Sequence, residues 1–155
     1  MKIIGFVSGC FDWMSPGHIR LFKEAKRHCN KLHILMADDV TVGYYKGVGR
    51  PLLTYEERCE ILEGCIYIDE IHKLHKTQDL SNQFELIKKI NPHIYFEGAD
   101  ATDKEIGEYL DRLGVLRKML NTSQLHISDI LRRYDAARYD ASITDHAMLA
   151  EDAGL

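Results

Sequence analysis

Ile3-Ile4-Gly5-Phe6-Val7-Ser8 runs into Gly9-Cys10-Phe11-Asp12-Trp13-Met14-Ser15-Pro16-Gly17-His18, and a helical pattern begins at Pro16. The first six residues form a short apolar run with β-branched members, bounded by glycine, as expected of a buried strand. Proline suits a first helical turn, because the N–H it lacks would be unpaired there in any case. A strand turning through Gly9 into a helix N-terminus is the start of a βαβ unit. It sets Gly17 and His18 among amides that a helix leaves without internal partners. Unpaired N–H groups and the positive end of the helix dipole favour an anion there, and glycine lets it approach the backbone closely. The same residues also read as a tight turn in which His18 is an N-terminal capping donor or a surface side chain.

Outward from this turn the pattern repeats. Strand-like runs occupy residues 32–37, 69–74, 93–96 and 115–120. Between them lie helical patterns, one opening on the capping box Thr54-Tyr55-Glu56-Glu57, one over 84–90 stopped by Asn91-Pro92, and one over 103–113 closed by Gly114. Ile19, Phe22, Lys26 and Cys29 line one side of the first helix, and Ile61, Leu62 and Cys65 form the apolar face of the second. Lys46 and Arg50 are expected on a glycine-flexible loop after the second strand. Strands alternating with helices of about ten residues predict a doubly wound, Rossmann-like α/β fold, a parallel sheet of about five strands in one domain. Ligands in such folds bind beyond the carboxyl ends of the strands.

The 155-residue chain has 45% hydrophobic and 28% charged residues, which excludes disordered and low-complexity classes. Its net charge of −4 resides wholly in the segment from Asp135 onward, so the body is neutral and no nucleic-acid backbone or anionic membrane is an expected partner. The expected organisation is a domain over residues 1–134 and an acidic tail or accessory helix over 135–155. Cys10, Cys29, Cys59 and Cys65 contain no C-x-x-C pair, so reduced thiols, no resident metal and a cytoplasmic location are expected. The histidines other than His18 show no ligand spacing; His72 and His75, three apart on or beyond a strand, would face opposite sides.

Gly9-Cys10-Phe11-Asp12 with Gly17-His18 resembles the G-x-F-D-x-x-H-x-G-H signature of the cytidylyltransferase-like nucleotidyltransferases. Asp39 through Lys46 to Gly47-Val48-Gly49-Arg50-Pro51 is similar to the S-D…K-G-x-G-R-P stretch of its heptose-phosphate members. Glu57-Arg58 matches an E-R pair, Tyr67-Ile68-Asp69-Glu70-Ile71 a Y-V-D-E-V stretch, Asn91-Pro92 through Glu97-Gly98-Ala99-Asp100 an R-P-D…G-x-D run, and Ile127-Ser128-Asp129-Ile130-Leu131 an I-S-T-S-x-I-I run. The match spans about 130 residues, with its motifs in order.

The resemblance implies in-line attack by a phosphorylated alcohol, sugar or polyol on the α-phosphorus of CTP or ATP, with Mg2+ carried by the nucleotide and pyrophosphate released. It implies catalytic roles for His18, Ser15, Lys46 and Arg58. Nucleotide contacts are implied for Gly9, Cys10, Phe11, Asp12, Gly17, His18, Gly98, Asp100 and Ser128, and acceptor contacts for Asp39, Lys46 and Arg50. A homodimer paired near the Y-V-D-E-V stretch is also implied. Ser15 stands where most relatives carry the first histidine, and the arginine before the I-S-T run is absent. A second reading is therefore a catalytically impaired nucleotide-binding or regulatory module of the same fold.

Overall fold

The computed structural model describes residues 1–75, 80–98, 104–121, 130 and 132–135. Two compact units divide the chain, Met1–Gln124 and Leu125–Leu155. In the second, residues 130 and 132–135 are helical, and the rest lies outside the described residues.

The first unit runs β1 (Ile4–Gly9), α1 (Pro16–Lys26), β2 (Lys31–Ala37), α2 (Asp39–Lys46), α3 (Tyr55–Glu63), β3 (Glu70–Leu74), α4 (Ser81–Ile90), β4 (Ile94–Glu97), α5 (Lys104–Arg112) and β5 (Leu116–Met119). The strands form one parallel sheet in the order β3-β2-β1-β4-β5. Its winding reverses between β1 and β4, so the crevice beyond their carboxyl ends is the topological switch point. All five expected strands are present, each with ends shifted by one residue or less.

Consecutive strand residues enter opposite core layers, as a sheet covered on both faces requires. Val7, Ile34 and Met36 pack with Phe22 of α1 and Leu62 of α3. Phe6, Leu35 and Tyr95 pack with Ile87 of α4 and Leu110 of α5. Side chains such as Phe22 and Leu35, without exposed surface, each contribute about 1.5–3 kcal/mol of burial free energy.

Local chemistry sets the helix ends. Thr54 and Glu57 form the expected capping box, with Glu57 N–H donating to Thr54 Oγ1 (3.3 Å) and Thr54 N–H to Glu57 Oε2 (2.8 Å). Asn91 closes α4 in the left-handed conformation at φ 50°, and Gly114 follows α5 at φ 71°. Three expectations are corrected. Residues 39–46 are helical, because Asp38 caps them by accepting from Thr41 N–H at 2.9 Å, and the loop begins only at Gly47, whose φ is 91°. On α1 the inward face is Leu21, Phe22 and Ala25, with Ile19 exposed. On α3 it is Arg58 and Leu62, with Ile61 exposed.

Candidate functional site

β1 delivers Gly9 and Cys10 to the carboxyl end of the sheet. Phe11 then turns the chain with φ 48°, a left-handed value unusual for an aromatic residue. Its ring folds under Gly9, where an added Cβ would lie 2.8 Å from the nearest ring atom. The aromatic ring also packs edge-on to His18, with centroids 5.5 Å apart.

Ser15 is the N-cap of α1 and His18 its third residue. The Ser15 N–H donates to His18 Nδ1 at 3.2 Å, and Ser15 Oγ lies 3.1 Å from the same nitrogen. A backbone N–H can only donate, so Nδ1 is the acceptor and the neutral ring carries its proton on Nε2. The turn therefore prepares His18 as an Nε2–H donor. Ser15 itself is only 5% exposed, and its hydroxyl is engaged with the imidazole. In this arrangement Ser15 orients His18. The capping reading of His18 is correct as well, and capping and donation fall to different ring nitrogens.

Arg58 needs a correction. Expected to reach into the site, it is instead 1% exposed, with four of its five N–H donors on protein acceptors. Its Nη1 donates to the carbonyls of Cys10 (2.5 Å) and Ala37 (2.8 Å), Nε to Leu53 O (3.2 Å) and Nη2 to Asp39 Oδ1 (2.6 Å). One guanidinium thus ties together the ends of β1 and β2, the start of α2 and the loop before α3. Asp39, placed beforehand at the acceptor, is this arginine's ion-pair partner, with its side chain 43% exposed.

Asp12 is likewise a support. It is 4% exposed; Oδ1 accepts the Leu52 N–H (2.6 Å) and Leu53 N–H (3.1 Å). Oδ2 lies 2.6 Å from Arg50 Nε, an ion pair whose angles fall outside hydrogen-bonding geometry. Both carboxylate oxygens face protein groups, so Asp12 anchors the segment from Arg50 to Leu53. Arg50 is held against it. Lys46 ends α2 with its side chain exposed.

These charges converge on Cys10. Burial pushes its thiol above the ordinary range, while Lys46, Arg58 and Arg50 pull it down and Asp12 adds to the rise. Lys46, Arg50, Asp12, Arg58 and Cys10 thus share one electrostatic neighbourhood at the carboxyl ends of β1 and β2. Gly17 is buried in the first turn of α1, and Gly98 is half-buried just after β4. Asp100 and Ser128 lie outside the described residues. A surface depression of about 550 Å³ borders Ser15 and runs along Ile19, Arg20 and Lys23 of α1. Among the described residues, Ser15 alone of the expected site residues lines it.

Sequence reasoning missed a neighbouring pair. His75, just after β3, places Nδ1 2.5 Å from Asp38 Oδ2. Burial raises Asp38, but hydrogen bonds from Thr41 and the contact with His75 outweigh it and hold the carboxyl below its usual range. The signal available in sequence was an Asp after a strand with Thr three residues on, an N-cap pattern.

Fold and turn together define a doubly wound α/β protein whose switch-point helix N-terminus carries an imidazole donor. The chain belongs to the cytidylyltransferase-like family, whose pattern matches residues 6–142. Bifunctional protein HldE of Granulibacter bethesdensis is 32% identical over 103 residues, covering 66% of this chain and 20% of that protein. Its counterpart in Caulobacter vibrioides is 33% identical over 99 residues, 64% of this chain and 20% of that protein. The chain spans about a fifth of the length of these curated relatives. The lipopolysaccharide core biosynthesis protein of Thermoplasma volcanium superposes with a TM-score of 0.64 at 20% identity, covering 81% of this chain and 100% of that one. Pantoate-beta-alanine ligase from Francisella tularensis gives 0.55 at 15% identity, covering 82% and 61%. At these identities the two structures speak to the shared fold.

Among the described residues, no helix is long and apolar enough to cross a membrane.

Proposed function

We propose that this protein transfers a CMP or AMP group from a magnesium nucleoside triphosphate to a small phosphorylated alcohol, sugar or polyol. The observation that carries the reading is the Ser15–His18 turn: a helix N-terminus at the switch point with Nδ1 committed to the backbone and Nε2 left as the protonated nitrogen. The acceptor's phosphate oxygen attacks the α-phosphorus in line, the bond to the bridging oxygen breaks, and pyrophosphate departs. Such chemistry asks mainly for positioning and for donors where negative charge grows. His18 and the amides near Gly17 meet the α-phosphate. Gly9, Cys10, Phe11 and Gly98 contact the nucleotide, and the family resemblance extends that role to Asp100 and Ser128. Lys46 holds the acceptor's phosphate with Arg50, whose pairing to Asp12 fixes the loop. Arg58 acts as a positioning residue beneath both substrates. The Mg2+ arrives with the triphosphate. The chemistry resides in residues 1–134, the acidic residues 135–155 form an accessory element, and the protein works in the cytoplasm as a homodimer.

A second reading, nucleotide binding without turnover, is favoured by one observation: at the place of the family's first histidine, Ser15 brings no positive charge and is buried against His18. Purified protein incubated with magnesium, each nucleoside triphosphate and a panel of phosphate esters separates the two. Pyrophosphate release with CTP or ATP supports transfer. A raised melting temperature with either nucleotide and no release under any pairing supports the binding module.

A further inference from the structure

Toward the amino ends of the strands, away from the Ser15–His18 turn, three donor groups meet on β2 and the edge strand β3. His33 lies opposite Glu70 in the parallel register, and His72 follows two residues later on the same face. His33 Nδ1 and His72 Nε2 are 2.9 Å apart, and Glu70 Oε2 is 3.8 Å from each of these nitrogens. We propose that His33, Glu70 and His72 form a site for a divalent transition cation of the zinc type, with three protein ligands and an open fourth position.

Tetrahedral zinc with bonds of about 2.0–2.1 Å sets neighbouring donor atoms roughly 3.3 Å apart. The three observed separations fall within about 0.5 Å of that triangle. The imidazole planes are parallel within 9°, and the two facing nitrogens are at hydrogen-bonding distance, one donating to the other. On binding, the N–H proton of the donor ring moves to that ring's other nitrogen, so both rings stay neutral, and a swing of the more exposed His72 ring brings the lone pairs together. Glu70 is already oriented for the task. Its Oε1 accepts from Lys31 Nζ at 2.8 Å, which turns Oε2 toward the rings, as an outer partner orients a metal-binding carboxylate. Burial holds both imidazoles below their ordinary range, Glu70 pulling upward while Lys31 acts against His33 and Lys89 against His72. Two features oppose tight binding: the nearby lysine charges, and His33 Nε2, which is buried without a hydrogen-bond partner. They keep the affinity below that of a closed structural centre. An ion here pins the edge strand to its neighbour.

The test is a titration of the full chain with Co2+ as spectroscopic probe and with Zn2+ by calorimetry, followed by thermal melts. One equivalent should bind, with visible tetrahedral cobalt bands, no thiolate charge-transfer band, and a melting temperature that rises with free zinc. Glu70→Gln and His72→Gln, both at partly exposed side chains, should each weaken binding by at least the roughly 10–100-fold that loss of an outer partner costs, and should abolish the zinc-dependent rise. If His72→Gln does not fold, Glu70→Gln carries the test. Absence of binding tighter than about 0.1 mM, a thiolate band, or unchanged affinity in Glu70→Gln would overturn the assignment.

Discussion

Replacing Arg58 with methionine keeps most of the buried stem and deletes the guanidinium that joins four segments. Asp39 is exposed enough to recover water when its partner is lost. The Cys10 and Ala37 carbonyls, which share Nη1 at the ends of β1 and β2, do not recover water so readily. A buried acceptor stripped of its partner costs about 1–3 kcal/mol, so the two together cost about 2–6 kcal/mol. For a chain of this size, about 2–4 °C of melting temperature follows each kcal/mol, so a loss near 4 kcal/mol lowers Tm by about 8–16 °C. Arg58→Lys keeps the charge but lacks the planar fork that spans four acceptors, and should recover little of that loss. Urea denaturation and thermal melts measure both variants. A destabilisation below about 1 kcal/mol accompanied by abolished turnover would refute the clamp and return Arg58 to direct contact with substrate.

Three further outcomes follow from the same geometry. His18→Ala removes the Nε2–H donor, so kcat should fall by about 10²–10³-fold while nucleotide affinity changes less; equal losses in both would make His18 a ground-state binder. Ser15→Ala leaves the backbone N–H that holds Nδ1, so denaturation should show a loss of about 1 kcal/mol of capping, and turnover should fall far less than in His18→Ala. Burial depresses the His33 and His72 pKa values, so the unfolded chain takes up these protons first as pH falls. Their contribution is complete above the ordinary histidine pKa of about 6.5 and is lost as pH falls from there through the folded values. In melts against pH, His33→Gln/His72→Gln should flatten that slope, and an unchanged slope would assign it to other groups.

The strands and the helix starts at Ser15 and Thr54 were legible because their determinants are local: apolar runs between turn residues, proline at a first turn, a capping box. Helix α2 was not, since Lys46 beside Gly47 and Gly49 reads as loop, whereas the deciding group is the Asp38 carboxylate on Thr41 N–H. The turn at His18 was legible as to place, but the division of labour between Nδ1 and Nε2 depends on a backbone hydrogen bond that residue types do not disclose. Arg58 and Asp12 carry the charges expected at a phosphate site. Their inward direction depends on carbonyls and amides of segments 21 to 48 residues away. The His33, Glu70 and His72 cluster was excluded on spacing, which compares neighbours along one strand. The parallel register joins residues 39 apart, and no short motif records it.

A structure of the protein bound to a non-hydrolysable CTP or ATP analogue with magnesium tests the central claim most directly. The account places the α-phosphate at the N-terminus of α1, within hydrogen-bonding distance of His18 Nε2, with Lys46 facing the acceptor side. A triphosphate seated elsewhere, or one at this turn with His18 directed away from it, would contradict the account.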